Sequence, residues 1–365
     1  MNDPRVAASH FAFPGTIATV SLLGAGNVND TFLVECLADG EPRRFVLQRL
    51  NPAVFGNPTG IMANLRILAA HIRPRLPLAD ASRWELPGII PCRDGADCWH
   101  DQRGACWRAL TYIEHTRSIE AVTGPEQARE AGRALGIFHA LVHDLPPGHL
   151  HDPLPGFHVT PRYLAHYKTV AASPARPEQS EEALFCHRFI AERRHRVGIL
   201  EEARERGEIQ ERVIHGDPKL ANILFDAESG RAVSLIDLDT VKPGLIHYDL
   251  GDCLRSCCNL SGEETTPTAA RFDASCFSAL LTGYLPWAAG FLSQADLRLI
   301  LDAAWLISLE LGMRFFTDHL EGDVYFKTSE DGHNLRRACT QFHLCRSIEA
   351  QEASLRALVA GMGQP

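Results

Sequence analysis

The sequence predicts an α+β fold of two lobes, a small lobe built on a β-sheet and a larger helical lobe. Its first 50 residues hold three runs rich in β-branched and large apolar residues, separated by turns that contain glycine. From about residue 125, apolar residues recur instead at the three- and four-residue spacing of amphipathic helices. The chain has 365 residues and can bury a substantial core. We expect the small lobe to span 1–115 and the helical lobe to span 116–365.

The small lobe is predicted to be a mixed sheet with one helix. Three strands are expected between about residues 17 and 50, in TIATVSLL, NDTFLVEC and RRFVLQRL. A helix follows over NPTGIMANLRILAAHI, where Asn57 or Thr59 can cap the first turn. WELPGIIPC, DCWHD and ACWRALTYIE have the composition of further strands and complete this lobe.

The helical lobe is predicted from apolar periodicity. EQAREAGRALGIFHALVHDL places Ala128, Ala131, Leu135, Phe138 and Val142 on one helical face. Further helices are predicted in EEALFCHRFIAERRHRVGILEEARERG, LRLILDAAWLISLELGMRFFTDHL and RRACTQFHLCRSIEAQEASLRALVAGM. The uncharged stretch at 274–295 is as long as a bilayer span. Because Gly283 and Pro286 interrupt it, we expect two short buried segments there and no membrane span.

Composition limits the classes of partner and compartment. A 45% hydrophobic and 22% charged chain is typical of a soluble globular protein, and its net charge of -9 argues against a nucleic-acid partner. Eleven cysteines, an odd number without a CxxC pair, indicate reduced thiols in a cytoplasmic protein. Cys253 and Cys257 stand at helical spacing and offer a possible metal pair, but packing of small side chains is the favoured interpretation. The N-terminus lacks the pattern of a secretory signal. The sequence does not indicate an oligomeric partner.

The segment ERVIHGDPKLANILFDAESGRAVSLIDLD carries the strongest chemical signal. NILFD and AVSLID read as the two arms of a hairpin joined by a turn at ESGR. Asp217 and Asn222 then lie at one end of the first arm, and Asp237 lies at the end of the second. We therefore expect these three oxygen donors to meet around one pocket.

This spacing matches the needs of phosphoryl transfer, which requires hard oxygen ligands for Mg²⁺ and a carboxylate beside the attacking hydroxyl. Asp217 is the predicted catalytic base, and Lys219 is placed to neutralise charge on the transferred phosphoryl group. Asn222 and Asp237 are the predicted magnesium ligands. Each residue alone also fits a structural role, such as capping a turn. Their joint spacing, an H-x-D with Asn five residues on and a strand ending in DxD, favours catalysis.

Two sets of residues are assigned supporting roles. His215 is expected to hold the catalytic loop, and Asp249 and Asp252 are expected to anchor that loop and begin the next helix. Upstream, LLGAGNVNDTFLV predicts a phosphate-covering turn between two strands. The residues of this turn that are expected to contact the nucleotide or the substrate are Gly24, Gly26, Asn27, Asn29 and Thr31.

With these residues in view, HGDPKLAN followed by LIDLD resembles the aminoglycoside phosphotransferase and choline kinase superfamily. That resemblance implies a protein-kinase-like two-lobe fold. More narrowly, the chain is similar to the N-acetylhexosamine 1-kinases over nearly its whole length. The similarity runs through GNVNDTFLV, FVLQRLN, YIEHT, HGDPKLANIL, IDLDTVKPG, YDLGDCLR, GMRFFTDHLEGDVYF and HNL.

The resemblance implies ATP-dependent, Mg²⁺-requiring phosphorylation of the anomeric hydroxyl of N-acetylglucosamine or N-acetylgalactosamine. It places Arg314 and Tyr325 against the sugar, a small-molecule substrate. It also places adenine beside a hinge formed by Thr111, Tyr112 and Ile113. At Asn27 the resembled kinases can carry His, so this residue is expected to influence which sugar epimer is accepted.

Two alternatives remain open at this point. A kinase of the same fold could act on another hydroxyl, on an aminoglycoside, choline, a hydroxylated amino acid or an unacetylated sugar, and Glu321 and Asp323 could begin a carboxylate cluster for a cationic acceptor. Alternatively, the chain could be a silent nucleotide-binding module, because Gln48 stands where protein kinases carry a lysine. The resembled kinases also tolerate glutamine there. Arg49 is adjacent but is expected on the opposite face of the strand.

Overall fold

A computed structural model describes residues 3–24, 28–76, 83–175 and 179–362. Gly26 and Asn27 lie outside the described residues. The first part of the chain forms an antiparallel sheet in the order β1-β2-β3-β6-β4, with β5 paired to β6. Its elements are α1 Pro4–Ala8, β1 Thr16–Leu22, β2 Asp30–Ala38, β3 Glu41–Arg49, α2 Pro58–Ile72, β4 Ile89–Ile90, β5 Trp99–His100 and β6 Cys106–Thr111.

The register of this sheet separates an apolar face from a polar one. Asp39 and Gly40, with φ of 54° and 82°, form the two-residue turn between β2 and β3, so that Ala38 pairs with Glu41. Leu47 and Trp107 then face a core cluster under α1. Because side chains alternate along a strand, their neighbours point to the opposite face, towards α2 and the rest of the molecule.

The second part of the chain is mainly helical. Its helices are α3 Pro125–Val142, α4 Thr160–Ala172, α5 Glu181–Arg193, α6 Ile199–Glu205, α7 Ile246–Cys257, α8 Ala274–Ala288, α9 Gln294–Glu321, α10 His333–Ala350 and α11 Glu352–Met362. Two small sheets accompany them, one in the order β10-β9-β7 and one of β11 with β8. Their strands are β7 Thr116–Arg117, β8 Arg212–Ile214, β9 Ile223–Asp226, β10 Ala232–Leu235 and β11 Lys242–Gly244. The predicted α+β fold, a small sheet followed by a helical lobe, is confirmed.

Helix α9 is the longest helix described and passes through the core of the second part. Ser293 caps it by accepting from the backbone N–H of Asp296 at 3.1 Å, while the Asp296 side chain accepts from the backbone N–H of Ser293 at 2.8 Å. It ends at Gly322, whose φ of 95° suits glycine. The helix therefore carries Glu310 and Arg314 on a rigid element.

The prediction of two short segments in 274–295 is wrong, because α8 runs without a break from Ala274 to Ala288. Pro286 lies in its last turn, where a missing backbone N–H costs one hydrogen bond at most. Gly283 serves packing, since a Cβ at this position would overlap the backbone carbonyl of Arg129 on α3. Gly132 on α3 meets the Leu280 carbonyl in the same way, so the two helices cross in close contact.

Other differences concern helix boundaries. The long helix predicted after residue 181 is split by a turn near Gly198, and the last one is split at Gln351. Asn57 does cap α2, accepting from the backbone N–H of Gly60 at 3.0 Å. Helix α4 had no counterpart among the predicted elements. Within the described ranges, no helix combines the length and the apolar composition needed to cross a membrane.

Candidate active site

The loop after β8 is held by one buried carboxylate. Asp249, in the first turn of α7, accepts hydrogen bonds from the backbone N–H groups of His215 at 2.7 Å and Gly216 at 2.8 Å. His139 Nε2 lies 2.9 Å from the same side chain. Burial opposes ionisation of Asp249, but these hydrogen bonds and the nearby histidines outweigh it and lower its pKa. The loop before Asp217 thus has a fixed path, as predicted for Asp249.

His215 and Gly216 fit this path for different reasons. His215 Nε2 donates to the carbonyl of Ile236 at 3.0 Å, so that Nδ1 is free to accept from the backbone N–H of Asp217 at 3.3 Å. Burial lowers the pKa of His215, which agrees with a neutral ring. Gly216 has a φ of +88°, and a Cβ would lie 2.5 Å from the carbonyl oxygen of Thr240. The predicted architectural role of His215 agrees with these contacts.

Asp217 is bonded to the two residues that the spacing linked to it. Lys219 Nζ lies 2.7 Å from Asp217 Oδ2, and Asn222 Nδ2 donates to the same oxygen at 3.0 Å and to the Asp217 carbonyl at 2.8 Å. Burial would raise the pKa of Asp217, but the charge and hydrogen bond of Lys219 outweigh it and lower the pKa. Asp217 is therefore an ionised carboxylate, and no described residue forms a hydrogen bond with its Oδ1.

The hairpin of β9 and β10 brings the backbone before Asp237 beside that of Asn222. Leu235 lies opposite Ile223, and the backbone N–H of Ile236 donates to the Asn222 carbonyl at 2.9 Å. Asp237 has a left-handed backbone, with φ of 62° and ψ of 54°, which turns the chain at the end of β10.

The electrostatics at Asp237 suit a cation. Its carboxylate has no hydrogen bond or ion pair with the described part of the chain. Burial, together with the charges of Asp239 and Asp217, raises its pKa to about 7. A carboxylate without a partner among other carboxylates is what a divalent cation would stabilise. The Asn222 amide nitrogen is already engaged, so its oxygen is the atom available as a second ligand.

Asp252 differs from its predicted role. It lies in the second turn of α7 and accepts from Arg255 Nε at 2.9 Å, whereas the backbone bonds to the loop come from Asp249. Burial raises the pKa of Asp252. Its charge is one of those that favour the protonated form of Lys219.

A buried polar network connects the small lobe to the end of this loop. Asp239, two residues after Asp237, accepts from Asn29 Nδ2 at 2.8 Å and forms an ion pair with Arg108. Arg108 also donates to Gln48 Oε1 from Nε at 3.0 Å and from Nη2 at 2.7 Å. Gln48 Nε2 in turn donates to Thr31 at 3.2 Å. Asn29, Thr31 and Gln48, predicted separately, belong to one network.

Arg108 was not predicted, and it changes the interpretation of Gln48. The first 115 residues contain no lysine, so this part of the chain has no counterpart of the lysine that protein kinases carry at the position of Gln48. Arg108 and Asp239 are each 1% exposed, and Arg108 pairs with Gln48 across β3 and β6, so that both lie on the same face of the sheet. The atoms that form the ion pair are buried without directed hydrogen bonds. A signal was present in the sequence, since CWRALT places a charge in an otherwise apolar strand. Arg49, by contrast, pairs with Asp30 and lies against Trp107 on the other face, as expected.

Arg314 lies on the helical side of the site among aromatic rings. The centre of its guanidinium is 5.1 Å from the Phe157 ring centroid, 5.2 Å from Tyr163, 6.0 Å from Tyr325 and 5.4 Å from Phe326. It forms no hydrogen bond or ion pair with the described part of the chain. Burial would lower its pKa, but Tyr163, Glu310, Tyr325 and Asp217 together raise it. Burial also raises the pKa of Tyr163 to about 12.

A chain of contacts relates Arg314 to the catalytic loop. Glu310, one turn earlier on the same face of α9, lies 3.0 Å from His158 Nδ1. His158 Nε2 lies 2.8 Å from the carbonyl oxygen of Gly216, next to Asp217. Both ring nitrogens of His158 therefore face acceptors, so that both carry protons. Burial opposes that charge, but Glu310 outweighs it and raises the pKa of His158.

The turn after α9 places Tyr325 beside this site. Asp318 accepts from the backbone N–H groups of Val324 at 3.0 Å, Tyr325 at 2.7 Å and Phe326 at 3.0 Å. Asn334 Nδ2 donates to Asp318 at 2.9 Å. These bonds join the segment LEGDVYF to the HNL segment of α10.

The two carboxylates considered for a cationic acceptor have other partners. Glu321 lies 3.2 Å from His166 Nε2. Asp323 accepts from Asn334 Nδ2 at 2.9 Å.

The hinge residues follow the end of β6. Thr111 Oγ1 accepts from the backbone N–H of Gly88 at 2.8 Å, and the Ile113 carbonyl accepts from Thr116 at 2.8 Å. Tyr112 packs under Arg44, 4.6 Å from its ring centroid. The side chains of Thr111 and Tyr112 are thus engaged, which leaves backbone groups of this segment as the candidates for contact with adenine. Gly24 has a φ of +71° and open space around it.

The cysteine pair Cys253 and Cys257 lies in α7 with 4.0 Å between the sulfur atoms. Both are buried in the core, and the described residues provide no third metal ligand there. Packing remains the interpretation.

Comparison with known proteins gives a consistent result. Residues 19–289 match the model of the phosphotransferase enzyme family. A microcompartment-associated aminopropanol kinase is 18% identical, with a TM-score of 0.65, 96% of this chain and 97% of that chain being covered. An aminoglycoside phosphotransferase from Alicyclobacillus acidocaldarius is 15% identical, with a TM-score of 0.64 and coverages of 99% and 97%. A spectinomycin phosphotransferase in complex with ADP and spectinomycin is 12% identical, with a TM-score of 0.51 and coverages of 93% and 97%. These identities support a shared fold.

The charged His158 predicts a pH dependence of stability. A histidine whose folded-state pKa is raised contributes fully below its ordinary pKa of 6.5, and this contribution is lost as the pH rises through the folded-state value. We expect the difference in free energy of unfolding between wild type and His158→Gln to be largest near about pH 6 and to shrink by roughly 1.4 kcal/mol per unit of pKa shift as pH rises. Urea unfolding over this range measures it. In a Glu310→Gln background the dependence should weaken, and a difference that grows with pH would contradict the assignment.

Proposed function

Because the chain belongs to the phosphotransferase enzyme family, we propose that it transfers phosphate from ATP to the anomeric hydroxyl of N-acetylglucosamine or N-acetylgalactosamine. The observation that carries the proposal is the Arg314 guanidinium beside the Asp217 loop, with donors that no described residue uses. Family membership makes the chain a small-molecule phosphotransferase. The acceptor is inferred from the chemistry of the site and from the resemblance described above.

Arg314 favours an oxygen-rich, uncharged acceptor over a cationic one. A ring of aromatic side chains commonly binds a ligand cation, as in the recognition of choline. Here the rings of Phe157, Tyr163, Tyr325 and Phe326 already surround a cation that belongs to the protein. An ammonium acceptor would meet like charge, whereas sugar hydroxyls and an acetamido carbonyl accept hydrogen bonds from guanidinium. Glu321 and Asp323 are occupied elsewhere, which weakens the cationic alternative further.

The small lobe is proposed to hold the nucleotide. Gly24 and Gly26, with Asn29 and Thr31, would cover the phosphates, while Thr111, Tyr112 and Ile113 would lie beside adenine. Gln48 orients Arg108, which supplies the positive charge of the missing lysine. The spectinomycin phosphotransferase of similar fold was observed with ADP, which supports a nucleotide as the phosphate donor. We retain 1–115 and 116–365 as the proposed lobes, and Asn27 as a proposed sugar contact.

Asn222 and Asp237 are proposed to hold Mg²⁺, whose role when bound is to neutralise and orient the phosphates. The carboxylate at Asp237 has no partner in the described chain and is surrounded by acidic groups, which fits a divalent cation. Asp239 is committed to Arg108 and Asn29, so it contributes charge without being a free ligand.

The chemistry assigned to this chain is short. The acceptor oxygen forms a bond to the γ-phosphorus of ATP while the bond from that phosphorus to the β-γ bridging oxygen breaks, and ADP leaves. Asp217 accepts the hydroxyl proton on Oδ1, because Lys219 and Asn222 hold Oδ2. With its other oxygen paired, Asp217 stays aligned with the hydroxyl. Lys219 also neutralises charge on the phosphoryl group in transit.

An acceptor panel tests the proposal. Purified protein with Mg²⁺ and ATP should form ADP with N-acetylglucosamine or N-acetylgalactosamine, and phosphorus NMR should show a phosphate coupled to the anomeric proton. Choline, an amino alcohol, kanamycin and glucosamine serve as competitors. Turnover of choline or kanamycin without turnover of either acetylated sugar would remove the proposal.

Arg314→Gln should raise KM for the sugar, whereas Arg336→Gln, on the surface of α10, should not.

Asp217→Asn tests whether the loop is catalytic or silent. We expect kcat to fall by roughly 10²–10⁴-fold, since general-base catalysis contributes about that much, with little change in the affinity for ATP. Steady-state kinetics and calorimetric titration with ATP measure the two quantities. Glu228→Gln, an exposed carboxylate on the same hairpin, is the control. The silent alternative gains if wild type transfers phosphate to no acceptor while both proteins bind ATP equally.

Arg108→Met tests the proposed replacement for the lysine. Loss of a buried cation aimed at the phosphates should lower kcat/KM for ATP by roughly 10²-fold or more. Arg108→Lys should recover part of the activity because it keeps the charge but not the fork that holds Gln48. Arg49→Met, one strand away on the opposite face of the sheet, is the matched control. Equal effects of Arg49→Met and Arg108→Met on nucleotide kinetics would show that Arg108 acts through stability alone.

A further inference from the structure

The hairpin of β5 and β6 carries three side chains with metal-binding atoms on one face. Cys98, His100 and Cys106 each offer one such atom, and these atoms lie within 4.8 Å of one another. His100 and Cys106 are direct partners in the ladder, and Cys98 is two residues before His100 on the same arm. Paired residues and residues two apart on a strand share a face of the sheet. The register of the hairpin therefore assembles the cluster.

The turn of this hairpin is held independently of the cluster. Asp101 Oδ1 accepts from the backbone N–H groups of Arg103 at 2.8 Å and Ala105 at 3.1 Å, and Asp101 Oδ2 accepts from Trp107 Nε1 at 3.1 Å. Gly104, with a φ of 79°, completes the turn. Trp99, between the first two cluster residues, points to the other face and stacks on His10 at 4.0 Å. The three side chains are thus presented by a preformed scaffold.

Burial of the cluster is graded from the core to the surface. Cys106 is 3% exposed, Cys98 is half-buried and His100 is exposed. The sulfur atoms of Cys98 and Cys106 already lie within 4.8 Å of each other. An ion could therefore reach the cluster from solvent, while its sulfur ligands stay partly shielded from water.

We propose that Cys98, His100 and Cys106 form a binding site for a thiophilic divalent cation of the Zn²⁺ type, with water as the fourth ligand. Two thiolates and an imidazole are the donors that Zn²⁺ selects over Mg²⁺. In a tetrahedral site, bond lengths of about 2.3 Å to sulfur and about 2.0–2.1 Å to nitrogen place the ligand atoms about 3.5–3.8 Å apart. A bound ion would draw the three ligand atoms, which lie within 4.8 Å of one another, to these distances.

The site would be separate in place and chemistry from the carboxylate and amide oxygens at Asn222 and Asp237. An ion bound to the hairpin ties β5 to β6, and Cys106 precedes Arg108 by two residues on the same face of β6. The carbonyl of Cys106 also accepts from the backbone N–H of Leu50 at 2.9 Å, at the end of β3. We therefore expect an ion bound to the hairpin to stabilise the small lobe.

Co²⁺ is the first probe, applied to the full-length protein after reduction and removal of metals with a chelator. One equivalent should produce the thiolate-to-cobalt charge-transfer bands and the intense visible bands of a tetrahedral site, and Zn²⁺ should displace it. Zn²⁺ should also raise the midpoint of thermal unfolding. Cys98→Ser, Cys106→Ser and His100→Ala should each weaken Zn²⁺ binding by more than about 100-fold, the upper range for loss of a residue that only supports a ligand.

His100→Ala is the deciding variant, because His100 is exposed and its loss should leave the circular dichroism and unfolding of the metal-free protein unchanged. Cys92→Ala is the control, since Cys92 is buried in the hydrophobic core on the other face of the sheet, with Leu47 and Trp107. Binding that persists in His100→Ala, or that Cys92→Ala abolishes, would overturn the ligand set. A Co²⁺ spectrum without thiolate-to-cobalt bands would overturn the site itself. A Cys98–Cys106 disulfide that persists in reducing buffer, together with no Zn²⁺ binding, would do the same.

Discussion

The buried carboxylate of Asp249 is the interaction on which the candidate site depends. It accepts from two successive backbone N–H groups and lies beside His139 in the interior, without exposure to solvent. Removing one partner of such a buried charged group typically costs about 3–5 kcal/mol. Because Asp249 accepts from the backbone N–H groups of His215 and Gly216, the backbone immediately before Asp217 is fixed. His215 Nε2 then donates to the carbonyl of Ile236, which links this loop to the segment between β10 and Asp237.

Charge balance in the cleft divides into two halves. On the side of the helical part, Lys219 compensates Asp217, while burial together with the acidic neighbours raises the pKa of Asp237. On the side of the sheet, Arg108 compensates Asp239. Negative charge is thus left over where a metal ion is proposed, whereas the Arg108–Asp239 pair on the side of the sheet is balanced. The two halves are linked through Asp239, which pairs with Arg108 and whose charge also raises the pKa of Asp237.

Local spacing predicts that Asp217, Asn222 and Asp237 lie close together, because a short hairpin brings the ends of its arms together whatever surrounds it. The structure bonds Asn222 to Asp217 and joins the backbones of Asn222 and Ile236. Arg108 escaped prediction because its role depends on which strand lies beside β3, a property of sheet order. Phe157 and Tyr163 escaped for a similar reason, since their partner Arg314 comes from α9. Phe157 lies before α4, and Tyr163 lies on α4, whose apolar periodicity is weak. Gly283 was read as a helix breaker, but its missing side chain is what permits the close crossing with α3.

The absence of lysine from the first 115 residues has a practical consequence for chemical proteomics. Reagents that carry an amine-reactive group on a nucleotide label proteins through an ammonium group close to the phosphates. In this chain the guanidinium of Arg108 would face such a reagent from the sheet and would not acylate. The lysine within the cleft is Lys219, on the catalytic loop. A labelled peptide would therefore come from the helical part, and a survey that searches for modified lysines in the sheet would pass over this protein.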